Sequence, residues 1–512
     1  MKQQNQTGTV YLVGAGPSDA GLLTVKGQQL LKQAQVVIYD ALVGAGILGM
    51  ISEQAETICV GKRSGCHSMK QEEINRLLVQ KAKQGRMVVR LKGGDPFLFG
   101  RGSEEAEQLL ANKIPFEIVP GVTSAIAVPA YSGIPVTHRD LSSSVHIITG
   151  HKKQDAPLDL DFEALLRAGG TDVFLMGVNV LPEIVNGFLD AGMAPDTPAA
   201  VLSQGTGFMQ RTVTAQLSML VEEAGRHSVK TPAVIVIGQT AALAAQFAWY
   251  EKLPLFGRRI LVTRPSSRND SLVSRLRGLG AEVIEAASIR TVPRACGQEF
   301  LEVLAKIGSY DYLVFTSPAG VAYFMSLLNQ YDRDIRCIGD IRIAAVGSAT
   351  RDALLSHGLR VSLMPQRYNG IELGRCLRKA VRPGGKVLLL RSALGSKQLI
   401  KEIKADHQIE VTDLAIYDTI NRTNSALDLR ALVEESAGDA SRGPSVLVLF
   451  TSSSTVCGFV QAAQGLACGK VHAVCIGQAT ADTAAGYGMQ VTMAAKETVT
   501  DMVDAVLALC KK

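Results

Sequence analysis

The residues with the most chemistry in their spacing are 88–102, VVRLKGGDPFLFGRG. A β-branched run breaks into Gly93-Gly94-Asp95-Pro96, crosses Phe97-Leu98-Phe99 and closes on Gly100-Arg101-Gly102. A strand that ends in glycines exposes main-chain donors and acceptors at its carboxyl end, where open α/β sheets bind ligands. Two adjacent glycines let a ligand touch the main chain. Asp95 offers a carboxylate for hydroxyls or a cation, and Arg101 offers a fork of donors for a carboxylate. In isolation the stretch also reads as an ordinary strand-to-helix turn.

The elements before it set the same pattern. A strand at 9–13 runs into Gly14-Ala15-Gly16-Pro17-Ser18-Asp19-Ala20-Gly21, then a helix over 23–33 and a strand over 36–39 that ends in Asp40. This imitates a dinucleotide-binding unit, with a Gly-rich turn and an acid about 20 residues on. Asp19 stands where the third glycine belongs. Its carboxylate would repel a pyrophosphate, and Pro17 stiffens a turn that must wrap phosphates, so the turn suits a ligand without phosphate. A basic turn, Gly61-Lys62-Arg63-Ser64-Gly65, follows another strand. Downstream come Pro120-Gly121-Val122-Thr123-Ser124, a strand-end turn, and a polar loop carrying His138, Arg139 and Asp140. The repeated strand–helix alternation to about Gly150 predicts a parallel sheet. A polar stretch over 150–169 leads to a second α/β unit ending near 247. By spacing alone, Met176 there reads as core.

The bulk numbers bound the class. A chain of 512 residues holds three or four domains at ~100–200 residues each. Hydrophobic content of 47% and charged content of 20% mark a globular chain with large cores. The net charge of +6 is spread out, which argues against nucleic acid. Nine scattered cysteines without metal-ligand spacing suggest no metal and reduced thiols in a cytoplasmic setting. The polar residues 1–9 do not read as a secretory signal, and no run reaches the ~20 apolar residues of a membrane span.

Seven segments in order, YLVGAGPSDAGLLT, VGKRSG, VRLKGGDPFLFGRG, PGVTSA, SGIPVTHRD, LMGV and TPAVIVIG, resemble the uroporphyrinogen-III C-methyltransferase family of tetrapyrrole methylases across residues 9–247. Ser18 and Ser103 depart from the glycines usual there. The resemblance implies a tetrapyrrole methylase fold of two α/β subdomains (about 1–150 and 151–248) and S-adenosylmethionine as cofactor. It also implies methylation of uroporphyrinogen III at carbons 2 and 7 to precorrin-2, and a homodimer through this half. It places Pro17, Gly93, Gly94, Asp95, Leu98, Thr123, Ser124, Met176 and Gly205 at the cofactor. Asp40 matches a proposed proton acceptor and Lys62 a proposed proton donor; a turn cap and a solvated charge are their plain alternatives. Arg63, Arg101, Arg139 and Arg211 suit a substrate with eight carboxylates.

Residues 249–258, with the only Trp, form the joint. Beyond it lies an internal repeat. Ile260-Leu261-Val262-Thr263-Arg264 is echoed by Val387-Leu388-Leu389-Leu390-Arg391, Phe315-Thr316-Ser317 by Phe450-Thr451-Ser452, and Ala345-Val346-Gly347-Ser348-Ala349-Thr350 by Cys475-Ile476-Gly477-Gln478-Ala479-Thr480, at offsets of 127, 135 and 130 residues. Two doubly wound lobes facing a shared cleft are expected. The same marks resemble uroporphyrinogen-III synthase over 259–512. That implies flavodoxin-like lobes (259–291 plus 421–512, and 292–420), closure of hydroxymethylbilane to uroporphyrinogen III, and no cofactor. Thr316, Ser317, Ser348, Thr350, Thr451, Ser452 and Thr480 are candidates for binding carboxylates. A helix N-cap is the competing reading for each. Tyr417 resembles a tyrosine proposed in that family to assist loss of the hydroxyl. The whole is read as a bifunctional enzyme of sirohaem or cobalamin-type biosynthesis, with small-molecule tetrapyrroles as partners. Two alternatives keep the same motifs: a methyltransferase of a later corrin step, and a second half that binds tetrapyrrole without catalysis.

Overall fold

A computed structural model of the protein describes residues 7–61, 69–150, 158–264, 271–405, 408–422, 424–435 and 444–510. Its first sheet comprises β1 (Val10–Gly14), β2 (Val36–Tyr39), β3 (Glu56–Cys59), β4 (Val88–Lys92) and β5 (Phe116–Val119), in the order β3-β2-β4-β1-β5. All its pairings are parallel. Every residue of β2 and β4 is buried. Continuous runs such as VVIY are what a parallel sheet covered on both faces requires. Each fully buried Val, Leu or Ile contributes about 1.5–3 kcal/mol.

The second sheet is mixed. It holds β6 (Val145–Thr149), β7 (Thr171–Leu175), β8 (Pro198–Ser203), β9 (Arg211–Gln216) and β10 (Ala233–Ile237), in the order β6-β7-β10-β8-β9. Only β6 and β7 run parallel; β10 lies antiparallel to both neighbours, and so does β8.

The remaining ten strands form two sheets. One contains β11 (Arg259–Val262), β12 (Glu282–Glu285), β18 (Val446–Phe450), β19 (His472–Cys475) and β20 (Gln490–Met493), in the order β12-β11-β18-β19-β20. The other contains β13 (Ile289–Pro293), β14 (Tyr312–Phe315), β15 (Arg342–Ala345), β16 (Lys386–Ser392) and β17 (Glu410–Asn421), in the order β13-β17-β16-β14-β15. The sequence repeat is exchanged between them. β11, from the first copy, pairs with β18 of the second, while β16 of the second copy pairs with β14 of the first. β13 and β17, the two crossings between lobes, run antiparallel side by side.

The two halves share a core. Ile47, Leu48 and Ile51, just after β2, lie in one apolar cluster with Ile284, Ala426, Leu427 and Leu432. Asn424 donates to the Leu48 carbonyl at 3.3 Å, and the Thr57 and Ser425 hydroxyls meet at 2.8 Å. Trp249 sits on the first half, donating to the Ala130 carbonyl at 3.0 Å and meeting the Tyr131 ring edge-on.

Candidate functional site

The carboxyl ends of β1, β4 and β5 are drawn together by glycines. Gly16 and Gly94 exchange main-chain hydrogen bonds of 3.1 and 2.9 Å. A Cβ on Gly121 would lie 2.3 Å from the Gly94 carbonyl oxygen, and one on Gly14 would lie 2.5 Å from Gly121 Cα. These two glycines allow the close approach. Gly94 differs: its φ is +67°, and the nearest atom to an added Cβ is Ser124 N at 4.0 Å. It faces open space, so a side chain there would fill the room beside the turn. Gly93 lies next to it, against Leu42.

Asp95 builds this edge. Its Oδ1 accepts from the Phe97 and Leu98 amides at 2.8 and 3.1 Å, and its Oδ2 accepts from the Gly121 amide at 3.0 Å. Thr123 caps the helix Ser124–Tyr131 by accepting from the Ala125 amide. Leu98 is half-buried, whereas Phe97, Phe99 and Leu42 are exposed.

Asp40, at the end of β2, is anchored from behind. Arg90 Nη2 donates to its Oδ1 at 2.5 Å, and Arg90 Nε donates to Glu105 Oε1 at 3.0 Å. Lys92 Nζ donates to the same Glu105 oxygen at 2.8 Å. Arg90, Lys92 and Glu105 are buried, while the Asp40 side chain is 30% exposed. Burial works against charge on Arg90, yet Asp40 and Glu105 outweigh it and hold the guanidinium above its ordinary value. Burial, then the Arg90 charge, pull the Lys92 ammonium below its ordinary value against the attraction of Glu105.

The second subdomain meets the first through its own strand-end turns. Met176 follows β7 with φ +57° and is 52% exposed, which corrects its reading as a core residue. Gly205 follows β8; a Cβ there would lie 2.3 Å from Val128 Cγ1. Asp19 ties this turn to the first: its amide donates to Thr206 Oγ1 at 3.2 Å, and its carboxylate accepts from the Gly21 amide and the Tyr131 hydroxyl at 2.7 and 2.8 Å. Phe99, Arg101, Met176, Gln204 and Thr206 all have left-handed backbone. Such strain concentrates at functional loops.

The arginine candidates are dispersed. Arg101 is exposed and paired through two hydrogen bonds with Glu104 (2.8 and 2.7 Å), and Arg211 is exposed and donates to the His227 carbonyl. Arg139 is exposed on the turn closed by His138 and Ser142. Lys62 and Arg63 lie outside the described residues.

A cavity of about 540 Å³ joins the halves. Pro17, Leu42 and Gly205 face it from the first half, and Leu427, Leu432 and Glu435 from the second.

In the second half the structure brings two candidates together. Tyr417 is buried on β17, and its hydroxyl lies 2.8 Å from Ser317 Oγ. Its ring stacks on Tyr323 at 5.1 Å. Burial pushes the Tyr417 phenol up, although Ser317 opposes this. Ser317 and Ser452 are helix N-caps, accepting from the Gly320 and Thr455 amides. Thr316 and Thr451 are half-buried at strand ends, and Ser348 is half-buried as the first residue of the helix Ser348–Leu355. Thr350 and Thr480 are buried (2% and 4%), so they do not offer hydroxyls to an open cleft.

Sequence reasoning left out Arg90, Lys92, Glu105 and Tyr323. A signal existed for the first two: charges inside the otherwise apolar strand VVRLK need buried partners. Nothing in the spacing singles out Tyr323.

Fold and site together define a two-part α/β protein, with a glycine-edged cleft between two subdomains followed by two lobes edged with Ser and Thr. Residues 9–221 match the family of tetrapyrrole (corrin/porphyrin) methylases, and residues 270–504 match uroporphyrinogen-III synthase HemD. The chain is 40% identical over 504 residues to a porphyrin biosynthesis protein HemD of Ruminiclostridium josui, covering 98% of each chain. It is 52% identical over 239 residues to an S-adenosyl-L-methionine-dependent uroporphyrinogen III methyltransferase of Methanosarcina barkeri, covering 46% of this chain and 93% of that one. A uroporphyrin-III C-methyltransferase structure from Thermus thermophilus, complexed with S-adenosylhomocysteine, is 40% identical with a TM-score of 0.40, covering 46% of this chain and 99% of that one. The chain belongs to the family of fused tetrapyrrole methylase–uroporphyrinogen-III synthase proteins. It carries a methyltransferase domain and a synthase domain of tetrapyrrole biosynthesis.

Proposed function

We propose that the first half methylates uroporphyrinogen III at carbons 2 and 7 to give precorrin-2, with S-adenosylmethionine as donor. The second half then supplies that substrate by closing hydroxymethylbilane. The observation that carries the reading is the glycine-edged cleft with Gly94 turned to open space. That cradle fits S-adenosylmethionine: it offers main chain and the apolar Leu98 and Met176, while the Asp19 carboxylate sits in the turn where a dinucleotide would place its pyrophosphate. When bound, the cofactor supplies an electrophilic methyl group. The chain's own residues hold and orient. Gly93 and Gly94 offer backbone, Pro17, Thr123, Ser124 and Gly205 shape the walls, and Asp95 keeps its loop in place. The pyrrole carbon that takes a methyl group makes the molecule lose one proton, and Asp40 is the carboxylate offered to accept it. Lys62 is proposed as a proton donor, and Arg63, Arg101, Arg139 and Arg211 as contacts for substrate carboxylates.

For the synthase half, Tyr417 with Ser317 is proposed to assist departure of the hydroxyl as water, with no cofactor. Strand-end amides and the hydroxyls of Thr316, Ser348, Thr451 and Ser452 would hold carboxylates. A homodimer through the first half and a cytoplasmic setting complete the proposal. Free thiols support the latter, and no described helix is long and apolar enough to cross a membrane.

The test is incubation of the whole chain with hydroxymethylbilane and S-adenosylmethionine, following products by absorbance and mass. Precorrin-2 carrying two added methyl groups is expected. Uroporphyrinogen I alone would overturn the synthase assignment. Methylation of later precorrins but not of uroporphyrinogen III would overturn the methyltransferase assignment.

A further inference from the structure

Behind Asp40 lies a closed group of charges that the proposed reaction leaves without a role. Arg90 is 1% exposed and Lys92 3%, while Glu105 is fully buried. Arg90 uses all three nitrogens: Nε on Glu105, Nη2 on Asp40, and Nη1 toward the Ile38 and Leu91 carbonyls at 3.5 and 3.4 Å. Glu105 Oε1 accepts from Arg90, Lys92 and Gln71 Nε2, the last at 3.2 Å. Its other oxygen, Oε2, is buried with no hydrogen-bond partner among the described residues. Among the described residues, the remaining charges facing the group are Arg101 and Glu104, which pair with each other.

Two cations and two carboxylates make the group formally neutral. Burying an unbalanced charge is costly, so each member's charge depends on the others. Of the four, only Asp40 is appreciably exposed, at 30% of its side chain. If it takes a proton, a net positive charge remains behind it, which favours handing the proton on and restores the base.

We propose that Arg90, Lys92 and Glu105 are positioning residues that hold the Asp40 carboxylate aimed into the cleft, and that their summed charge sets the pH dependence of methylation. This rests on the reading of Asp40 as proton acceptor. Arg90 fixes the carboxylate through a direct hydrogen bond. Lys92 and Glu105 act one step removed, with opposite signs. Removing the Glu105 charge leaves Asp40 facing a more positive surround, so its ionised form persists to lower pH. Removing the Lys92 charge does the reverse.

The experiment is kcat for methylation against pH in the full chain, with uroporphyrinogen III and S-adenosylmethionine. Glu105→Gln is expected to move the acidic limb down and Lys92→Gln to move it up, each on the order of one pH unit for a charge change at an effective dielectric near 20. Lys92→Gln combined with Glu105→Gln restores neutrality and should return the limb to the wild-type position. A merely structural role would lower the rate in both single variants without opposite displacements. Synthase turnover by the same chain reports folding; if Glu105→Gln does not fold, the direction in Lys92→Gln still decides. Superimposable limbs, or both single variants shifting the same way, would overturn the inference. Asp40→Asn separates the two layers. Unchanged methylation in that variant sinks the acceptor role itself, whereas loss of methylation there with unmoved limbs in the others sinks only the positioning role.

Discussion

The guanidinium carbon of Arg259, the first residue of β11, lies 4.1 Å from the centroid of the Phe208 ring. One residue comes from the synthase half and the other from the turn after β8 in the methylase half. Arg259 is 5% exposed and also pairs with Glu282 and Glu435, each at 2.5 Å. Those carboxylates outweigh burial and hold its charge above the ordinary value. Arg259→Ala leaves both acids uncompensated and should cost about 3 kcal/mol. Phe208→Leu removes only the ring face and should cost about 1 kcal/mol. Denaturant titration of the full chain checks the order; equal losses would show that the ion pairs carry nothing.

Gly94, with no atom nearer than 4.0 Å to an added Cβ, and Gly205, packed on Val128, should respond differently to a methyl group. Gly94→Ala meets no close atom but places a methyl beside the turn in left-handed backbone. It should cost about 1 kcal/mol of stability and raise the Kd for S-adenosylmethionine about tenfold or more. In Gly205→Ala the new methyl meets Val128 at 2.3 Å, so stability should fall by about 1–3 kcal/mol. Calorimetric binding set beside thermal unfolding distinguishes them. Unchanged cofactor affinity in Gly94→Ala would remove that glycine from the cradle.

Much of this was legible in the chain, and the reasons differ by residue. The glycine-ended strands and the failed dinucleotide pattern are local, and Asp19 does stand in the turn as a carboxylate bonded to main chain and to Tyr131. The repeat was visible in the residues themselves, whereas its exchange between lobes was implied only by the family resemblance: β11 and β16 have similar sequences, and only the path of the crossings decides which strands each one joins. The charges on β4 were visible without their partner, because Glu105 sits in a helix turn whose buried face depends on packing. Met176 read as core because hydrophobicity does not reveal a positive φ.

Tyr417→Phe tests the synthase assignment. The ring still stacks on Tyr323, and Ser317 keeps its helix-capping bond, so stability should change by no more than about 1 kcal/mol. The hydroxyl is lost, and cyclisation should slow by about 100-fold if it acts as a proton donor. Because burial raises the phenol, it stays protonated past the ordinary tyrosine range. The wild-type rate should therefore show no Tyr417-dependent loss through neutral and mildly alkaline pH. Comparing pH–rate profiles of the two proteins checks this; an alkaline limb at or below the ordinary value, absent from Tyr417→Phe, would contradict the buried geometry.

Glu53, in the methylase half, meets both strands that join the synthase lobes. Its Oε1 lies 2.6 Å from Arg422 Nε, just past the end of β17, and its Oε2 lies 3.8 Å from Arg290 Nε on β13. The Arg422 N–H is not aimed along the short contact, so this is a charge contact rather than a hydrogen bond. With Glu53 28% exposed and Arg290 50%, the pairs together should be worth about 1 kcal/mol and weaken with salt. The position matters more than the energy, since any change in the angle between lobes must move these two strands. Glu53→Gln should therefore speed amide exchange along β13 and β17 and alter synthase turnover, while methylation of supplied uroporphyrinogen III stays at the wild-type rate. Exchange in β13 and β17 that matches wild type would mean the methylase half does not restrain the crossing.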